Sequence, residues 1–427
     1  MRKAAIGIGI PAFLITLGLA ASVPEGGDPH SAASGKSPTA GQSAQPAANH
    51  RGLAYRYPGD AGIEADSAVV FRETFEQGLI SDLDQRWTNI SNSDNEVLAF
   101  VSDAPPGSAG KRCLQMTATN GHDTGGHLWK YLDKGYDRLY ARFYTKFSPD
   151  HPYVHHFVHM GSQRETLFPS GGAGSRPSGT QGFSTGIDLS ASRRAVPPGD
   201  WMLYSYWCEM RSYQNLDGTG NVYYGNAFEP LTPEPAPRDK WQCVEFMIQC
   251  NSAPDVRDGE EAFWIDGKLI GRFAPGTPLG TWIRDKFHVT GVYNTNPQPF
   301  EGFLWRTSNE VKINCFWLLY YMASVFENDY TPNDTTIPYN GAKGQVLFDD
   351  IVLATQYIGP LAVEPPTGGQ SGCDFNGDGR TNIVDVVRLV QMFLRDPQDK
   401  RTDYDGDGES TLGDAITLLI DIVKGNC

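Results

Sequence analysis

Alternating apolar and polar side chains are the feature that most constrains the fold of this chain. Within residues 139–147, Leu139, Ala141, Phe143 and Phe147 fall on one side, and tyrosine, arginine and lysine side chains fall on the other. Successive side chains of a β-strand point to opposite faces, so this pattern predicts a strand with one buried face. A buried face backed by a polar face is typical of a strand in a β-sandwich.

The same alternation recurs in later segments, and helical periodicity is hard to find before residue 373. We therefore predict that residues 63–361 form a mainly β domain, an antiparallel β-sandwich. With about 300 residues, this region is long enough to bury a substantial core. The further predicted strands contain Val244, Phe246 and Ile248, then Phe263, Ile265 and Leu269 around a turn at 266–268, and finally residues 346–353.

The N-terminal residues 1–21 have the order of a secretory signal peptide. Two basic residues precede an uncharged apolar run that ends in small residues. A membrane anchor is the alternative, but the run is short for a bilayer and a proline interrupts it. We predict cleavage near Ala20 and a secreted protein with no membrane span in the mature chain. Residues 22–62 and 362–372 have the composition of flexible linkers.

Two twelve-residue segments near the C-terminus, 374–385 and 403–414, have the pattern of calcium-binding loops. Each places oxygen-bearing side chains at positions 1, 3, 5, 9 and 12 and a glycine at position 6, and an apolar helix is predicted after each. Calcium takes about six to eight oxygen ligands, and the glycine permits the sharp turn that brings them together. We therefore predict two bound calcium ions. The predicted ligands are Asp374, Asn376, Asp378, Arg380 through its carbonyl, Asn382 and Asp385, and then Asp403, Asp405, Asp407, Glu409, Thr411 and Asp414.

This module, residues 373–427, resembles a type I dockerin. It has two loop–helix repeats, aspartate rather than glutamate at position 12, and no full helix before the first loop. The resemblance implies docking to a cohesin domain, as in multi-enzyme complexes that degrade polysaccharides. Dockerins usually select their partner with small hydroxyl residues at positions 10 and 11, and these positions are Ile383-Val384 and Leu412-Gly413 here. The sequence therefore leaves the identity of the cohesin open.

Seven cysteines in an exported chain predict disulfide bonds. Cys373 and Cys427 bracket the terminal module and could join its ends. The other five are an odd number, so we expect at least one of them to be free or paired elsewhere.

Six short motifs of the large domain follow the order seen in concanavalin-A-like jelly rolls. The domain looks most like the polysaccharide-lyase branch of that superfamily. The resemblance implies two stacked antiparallel sheets with a concave face that holds an extracellular polysaccharide. The motifs are residues 71–76, 126–129, 140–147, 241–246, 263–267 and 348–353.

A lyase acting on a uronic acid needs three kinds of group: one that neutralises the carboxylate, a base for the adjacent proton, and an acid for the leaving oxygen. Arg142, Tyr144 and Lys146 project to one side of their predicted strand. His155 and His159 share a face if their segment is also a strand. We assign Arg142 or Lys146 to the carboxylate, and His155, His159 or Tyr144 to the base and acid. The same residues would also suit an ordinary solvated sheet face.

A glycoside hydrolase on the same fold is one alternative, and it requires paired carboxylates. The compact glutamate–aspartate–glutamate strand motif of laminarinases is absent, which leaves Glu209, Glu245, Glu260 and Glu261 as unpaired candidates. A noncatalytic carbohydrate-binding module is the other alternative, because exposed aromatic rings suffice to stack on sugars. The aromatic candidates, many of them expected in the core, are Trp201, Tyr204, Tyr206, Trp207, Tyr223, Tyr224, Trp264, Trp317, Tyr320 and Tyr321.

Charge and motif spacing argue against two other classes of function. The net charge of −15 and the isoelectric point near 5.0 argue against nonspecific nucleic-acid binding, which needs a basic surface. Structural or catalytic zinc at His151, His155, His156 and His159 is not expected, because Pro149 and Pro152 interrupt the helix that their spacing would suit and the metalloprotease motif with its glutamate is absent.

Overall fold

The computed structural model describes residues 52–119, 122, 124–164, 174–191, 195–290, 296–322, 343–362, 373–376, 380–396, 402, 404 and 411–424. The predicted signal peptide, most of the first linker and nearly all of the second lie outside these residues. In the described part of the chain, no helix is long and apolar enough to cross a bilayer.

One sheet of the domain has eight strands. Their order is β13-β12-β11-β6-β18-β4-β3, and β1 also pairs with β18. The strands are β1 (Val69–Glu73), β3 (Leu98–Val101), β4 (Cys113–Thr119), β6 (Arg138–Phe147), β11 (Gln242–Gln249), β12 (Glu260–Ile265), β13 (Lys268–Phe273) and β18 (Lys343–Ala354).

The other sheet has ten strands in the order β16-β14-β15-β10-β9-β8-β7-β17-β5-β2. The strands are β2 (Asn89–Ser91), β5 (Gly125–Tyr136), β7 (Val158–Gln163), β8 (Gly182–Ser190), β9 (Asp200–Tyr206), β10 (Asn226–Glu229), β14 (Leu279–Ile283), β15 (Lys286–Val289), β16 (Gln298–Pro299) and β17 (Ile313–Tyr321).

The mainly β prediction is confirmed, but the sheets are not wholly antiparallel. Strand β10 runs parallel to β15, with Ala227 opposite Lys286 and Glu229 opposite His288. A parallel pair needs a long crossover between its strands. Here the chain passes through β11, β12 and β13 of the other sheet before it returns as β14 and β15.

The two sheets share one apolar core. Phe143 and Phe246 from the eight-stranded sheet and Trp201 and Phe228 from the ten-stranded sheet are fully buried in the same cluster. Burial of each such side chain contributes about 1.5–3 kcal/mol. The Trp201 indole N–H donates to Gln242 Oε1 at 2.7 Å and so links the sheets directly. The predicted strands at 139–147, 244–248, 263–269 and 346–353 are all present.

Residues 52–66 cover the outward face of the eight-stranded sheet. They form the 3-10 turns Leu53–Arg56, Pro58–Asp60 and Ile63–Ala65. Leu53 and Ala54 are buried against Val352 and Ile358. The ordered domain therefore begins before residue 63, where composition placed its start. The few apolar residues of 52–62 are buried by partners about 300 positions later in the chain, which local composition does not reveal.

The terminal segment contains two helices, α1 (Ile383–Arg395) and α2 (Leu412–Lys424), at the positions predicted after the two loops. Val386 and Leu389 of α1 pack with Ala415 and Leu418 of α2. The Asn382 side chain caps the start of α1 by accepting from the Val384 N–H at 2.9 Å.

Candidate active site on the ten-stranded sheet

Arg142 lies on β6 and points to the covered face of the eight-stranded sheet. Its guanidinium is fully buried and forms an ion pair with the equally buried Asp60 carboxylate. Tyr144 on the same face is also buried, and its hydroxyl accepts a hydrogen bond from the Leu361 N–H at 2.8 Å. Neither side chain is placed to meet a substrate, so our assignment of these two residues to catalysis is corrected.

Lys146 on the same strand bridges two surface carboxylates. Its Nζ lies 3.1 Å from Asp103 and 3.4 Å from Asp239. Arg142, Tyr144 and Lys146 do share a face, as the alternation predicts. That face belongs to the eight-stranded sheet, whereas the predicted histidines belong to the other sheet.

His159 lies near the start of β7, on the face of the ten-stranded sheet that points away from the core. We call this the outer face. Val158 and Met160 on either side of it point into the core. Across the sheet, Trp317 pairs with His159, His159 with Gly186, and Gly186 with Tyr204. These four positions form a continuous row across β17, β7, β8 and β9.

His155 and His156 precede β7, which begins at Val158, so the predicted strand through 154–159 forms only in its last residues. The segment is nevertheless held against β17, because the His155 N–H and the His156 N–H both donate to the Tyr321 carbonyl. The His155 ring lies 4.0 Å from that of His156, centroid to centroid. The structure therefore brings both predicted histidines to one cluster.

Asp188 on β8 is the centre of this cluster. Its carboxylate accepts from His156 Nδ1 at 2.8 Å and from the Phe157 N–H at 2.6 Å, and it lies 3.7 Å from His159 Nε2. Sequence reasoning missed Asp188. The sequence did contain a signal for this residue, because Asp188 points to the other face from Ile187 and Leu189 in an otherwise uncharged strand. A carboxylate that is buried there requires partners.

Burial and mutual contact set the charges of these groups. Burial by itself would raise the pKa of Asp188, but the neighbouring His156 imidazole and its hydrogen bond hold that pKa below the usual range. Burial lowers the pKa of His159 to about 4, against the opposing influence of Asp188. The His159 imidazole is thus neutral at pH 7.

Two tyrosines of β9 continue the cluster. The Tyr204 ring lies 5.2 Å from the His156 ring and 5.7 Å from the Tyr206 ring. Burial raises the pKa of Tyr206, and the neighbouring Tyr204 hydroxyl and Gly225 N–H oppose that rise. Burial and the neighbouring Tyr206 both raise the pKa of Tyr204. Tyr206 is therefore the phenol whose anion has the better local support.

Two glycines leave room for the rings of this site. A Cβ on Gly186 would lie 2.6 Å from the His159 ring, and a Cβ on Gly225 would lie 2.3 Å from the Tyr204 ring. Both distances are far below van der Waals contact. Glycine at these positions is therefore a requirement of the observed ring placement. The His159 ring therefore lies directly over the Gly186 backbone.

Aromatic side chains flank the other end of the row. The Trp317 ring lies 5.9 Å from His159, 5.5 Å from Trp129 and 5.6 Å from His127. His127 Nε2 and Asn89 Oδ1 are 2.9 Å apart. Imidazole, indole and amide groups of this kind suit contact with a sugar chain, since apolar ring faces and polar edges alternate in both.

The carboxylates proposed for a hydrolase are engaged elsewhere. Glu245 is buried and accepts from the N–H groups of Ile358 and Gly359 at 2.7 and 2.8 Å. Glu261 is buried between the sheets, while Glu209 and Glu260 pair with arginines. Three of the four lie on or beside the eight-stranded sheet, so they do not form a facing pair at the row described above.

The aromatic candidates divide between core and surface. Trp201, Trp207 and Tyr320 are buried core residues, as expected for many of the set. Tyr204, Tyr206, Trp317 and Tyr321 belong to the outer face of the ten-stranded sheet. Trp264 lies on the eight-stranded sheet, and Tyr223 and Tyr224 lie in the connection between β9 and β10.

The terminal module repeats one arrangement twice. In the first predicted loop, Asp385 accepts from the N–H groups of Asn376 and Asn382 at 3.1 and 2.9 Å. In the second, Asp414 accepts from the N–H groups of Tyr404 and Thr411 at 2.6 and 2.7 Å.

The carboxylates of Asp374, Asp385 and Asp414 are buried, and buried anions at the closing positions of two loops fit a cation such as calcium. Arg380 is also described. The remaining predicted ligands, Asp378, Asp403, Asp405, Asp407 and Glu409, lie outside the described residues.

At least one of the five cysteines outside the terminal module was expected to be free or paired elsewhere. Cys113, Cys208, Cys243, Cys250 and Cys315 are all free thiols, whereas Cys373 is disulfide-bonded. Its predicted partner, Cys427, lies outside the described residues.

Comparison with known proteins gives a limited likeness. No family model matches the chain, and no curated protein matches it in sequence. Among solved structures, it is similar to the alginate lyase Aly36B, with 13% identity and a TM-score of 0.41 over 68% of this chain and 98% of that one. The alginate lyase vAL-1 from Chlorella virus has 11% identity and a TM-score of 0.43 over 67% and 99%. The endo-beta-1,4-glucuronan lyase from the fungus Trichoderma reesei has 15% identity and a TM-score of 0.35 over 67% and 95%. At this level of similarity, we base neither the fold nor the function of this chain on these structures.

Proposed function

We propose that the sandwich domain is a polysaccharide lyase that cleaves a uronic-acid-containing polysaccharide by β-elimination. The observation that carries the proposal is the row His159–Gly186–Tyr204, which brings an Asp188-anchored imidazole cluster beside the phenols of Tyr204 and Tyr206. The site offers imidazole groups at one end and phenol groups for proton transfer at the other.

The proton transfers are assigned to the two phenols. As a phenolate, Tyr206 would take the proton from the carbon beside the carboxylate, because the neighbouring Tyr204 hydroxyl and Gly225 N–H favour its anion. The electron pair of that C–H bond forms the new C=C bond as the bond to the leaving oxygen breaks. That oxygen takes a proton from the phenol pair, so protons and charge balance. The imidazoles around Asp188 line the position proposed for the sugar ring.

The decisive test offers the protein a panel of uronate polysaccharides, including alginate and glucuronan, beside neutral polysaccharides. The expected result is ultraviolet absorbance from an unsaturated sugar on one or more uronate polymers. New reducing ends without that absorbance would replace the lyase with a hydrolase. Binding without cleavage would replace it with a noncatalytic carbohydrate-binding module.

We further propose that residues 373–427 are a dockerin that binds two calcium ions and a cohesin. The two spaced loop patterns, the helix that follows each and the buried Asp385 and Asp414 carboxylates support this reading. Calcium-dependent capture of a cohesin panel tests the partner. Failure of every cohesin in the presence of calcium would contradict it.

We also propose that the protein is secreted. The signal-peptide pattern of residues 1–21 supports this. Expression of the full chain in a secreting host, followed by N-terminal sequencing, tests it. The mature protein should begin near residue 21, and retention of an intact N-terminus in the cytoplasm would contradict secretion.

A further inference from the structure

Three side chains on or beside the outer face of the ten-stranded sheet form a potential metal-binding set. His156 Nδ1, His159 Nε2 and a carboxylate oxygen of Asp188 all lie within 4.8 Å of one another. We propose that these residues bind one divalent metal ion, Zn²⁺. This inference concerns a different ion and a different region of the chain from the predicted calcium loops.

The spacing of the donor atoms fits a four-coordinate zinc ion. Zinc lies about 2.0–2.2 Å from imidazole nitrogen and carboxylate oxygen, so tetrahedral donors are about 3.4 Å apart. The Asp188 carboxylate lies 2.8 Å from His156 Nδ1 and 3.7 Å from His159 Nε2, on either side of that value. Small side-chain rotations would bring all three donors to bonding distance and leave a fourth position for a ligand.

The triad is held by groups behind it, as metal ligands generally are. The Phe157 N–H donates to Asp188, and paired main-chain hydrogen bonds join His156 to Tyr321. Gly186 leaves the space that the His159 ring occupies. The fold therefore holds these side chains in place before any ion binds, so the ion does not have to order them.

A second observation points to a ligand at this position. His159 is only 8% exposed, and its Nε2 atom has no hydrogen-bond partner among the described residues. An unsatisfied buried polar atom costs about 1–3 kcal/mol. A metal bond to Nε2 would remove that free-energy cost. A histidine with hydrogen bonds to both ring nitrogens would have no such cost.

The ion would also supply a charge that the site needs. Two neutral imidazoles, one carboxylate and Zn²⁺ leave a net charge of +1, which attracts a uronate carboxylate to the open position. Arg142 and Lys146, the cations first assigned to that task, lie on the other sheet. This role rests on the proposed lyase function, whereas the metal binding itself does not.

Metal analysis of the intact protein tests the site. The protein is stripped with a chelator, loaded with Zn²⁺ or Co²⁺ in excess calcium, and dialysed. We expect one equivalent of zinc or cobalt per chain, with the visible absorption of four-coordinate Co²⁺. Asp188→Asn and His159→Gln should each lose that equivalent, whereas the matched control His127→Gln, on the same face, should retain it. Retention of the equivalent by both triad variants would overturn the proposal.

X-ray absorption on the zinc-loaded wild-type protein requires no variant and so covers the case in which a variant does not fold. The expected zinc environment contains nitrogen and oxygen, with imidazole scattering and no sulfur. A sulfur shell would assign the ion to the free cysteines and overturn the proposal, as would the absence of stoichiometric binding.

The formation of unsaturated product is measured separately from metal binding. Stoichiometric zinc at the triad with no unsaturated product on any uronate polymer would overturn the lyase function and leave the metal site standing. Equal rates of product formation by the stripped and the zinc-loaded protein would overturn the role of the ion in binding the carboxylate.

Discussion

Arg142 on β6 and Asp60 in the N-terminal segment form an ion pair in which both side chains are fully buried. The pair fastens the segment 52–66 to the eight-stranded sheet. It also explains why a residue with the sequence signature of a substrate-binding arginine is a structural one.

Asp60→Ala should therefore destabilise the fold, because it leaves the Arg142 cation buried without this partner. The expected loss in the free energy of unfolding is about 3–5 kcal/mol, measured by denaturant titration. Replacing both residues, with Asp60→Leu and Arg142→Met, should cost less than Asp60→Ala alone. An unchanged midpoint for Asp60→Ala would show that the pair does not hold the segment.

Gly186→Ala should impair catalysis more than stability. Its Cβ would lie 2.6 Å from the His159 ring and displace it from the row. We expect kcat/KM on the uronate substrate to fall at least about tenfold, because misplacing a catalytic group by about 1 Å can lower the rate about a hundredfold. Thermal unfolding provides the control for global damage. Wild-type kcat/KM for Gly186→Ala would show that His159 is not part of the active site.

Tyr206→Phe removes the phenol assigned to proton transfer while keeping the ring. Its kcat should fall about 10²–10⁴-fold with little change in binding of the polysaccharide. Tyr223→Phe, in the connection that follows β9, is the matched control and should remain active. If Tyr206→Phe keeps its activity, the proton transfers belong to another group.

Glu261 predicts a pH dependence of stability that is separate from the active site. Its carboxyl group accepts from Thr185 and Ser205 between the sheets, and burial raises its pKa from 4.5 to about 8. Between these values the unfolded chain has lost the proton and the folded chain retains it, so stability falls as pH rises. The contribution is about 1.4 kcal/mol per pH unit and is complete only below the unfolded pKa.

Glu261→Gln should remove this contribution between about pH 5 and pH 8 and stabilise the protein relative to the wild type at the upper end. Glu260→Gln, the neighbour that pairs with Arg272 on the other face, serves as the control and should keep the wild-type slope. Part of the slope should remain in Glu261→Gln, because burial also raises the pKa of Glu245 to about 7. Identical slopes in both variants would contradict the assignment.

Calcium should stabilise the terminal module by binding its folded loops. At a hundredfold excess over Kd, one site contributes about 2.7 kcal/mol, visible as a higher melting temperature. Asp374→Asn combined with Asp403→Asn should abolish that response, whereas Asp396→Asn, just after α1, should preserve it. A melting response to calcium that survives the double substitution would sink the calcium proposal.

Local pattern was sufficient for several strands and for both helices of the terminal segment. Side-chain alternation identified β6, β11, the β12–β13 hairpin and β18, because a strand has the same period wherever it lies. The apolar runs after the two acidic loops likewise identified α1 and α2. The parallel pairing of β10 with β15 has no local signal, since it depends on the route of the chain between the sheets.

The sequence predicted only some of the residues of the candidate site. His155 and His159 were found because histidines are rare and chemically distinctive, and alternation correctly placed Arg142, Tyr144 and Lys146 on one face. Which sheet a face belongs to, and what covers it, is a property of packing. Residues 52–66 bury Arg142, and strand pairing brings Asp188, Gly186 and Tyr204 beside His159. The sequence by itself determined the strand period and the positions of the two helices, and the calcium ligands and secretion stay predictions. Only the tertiary structure decided which polar face is buried and which side chains share a site, because both depend on contacts between residues far apart in the chain.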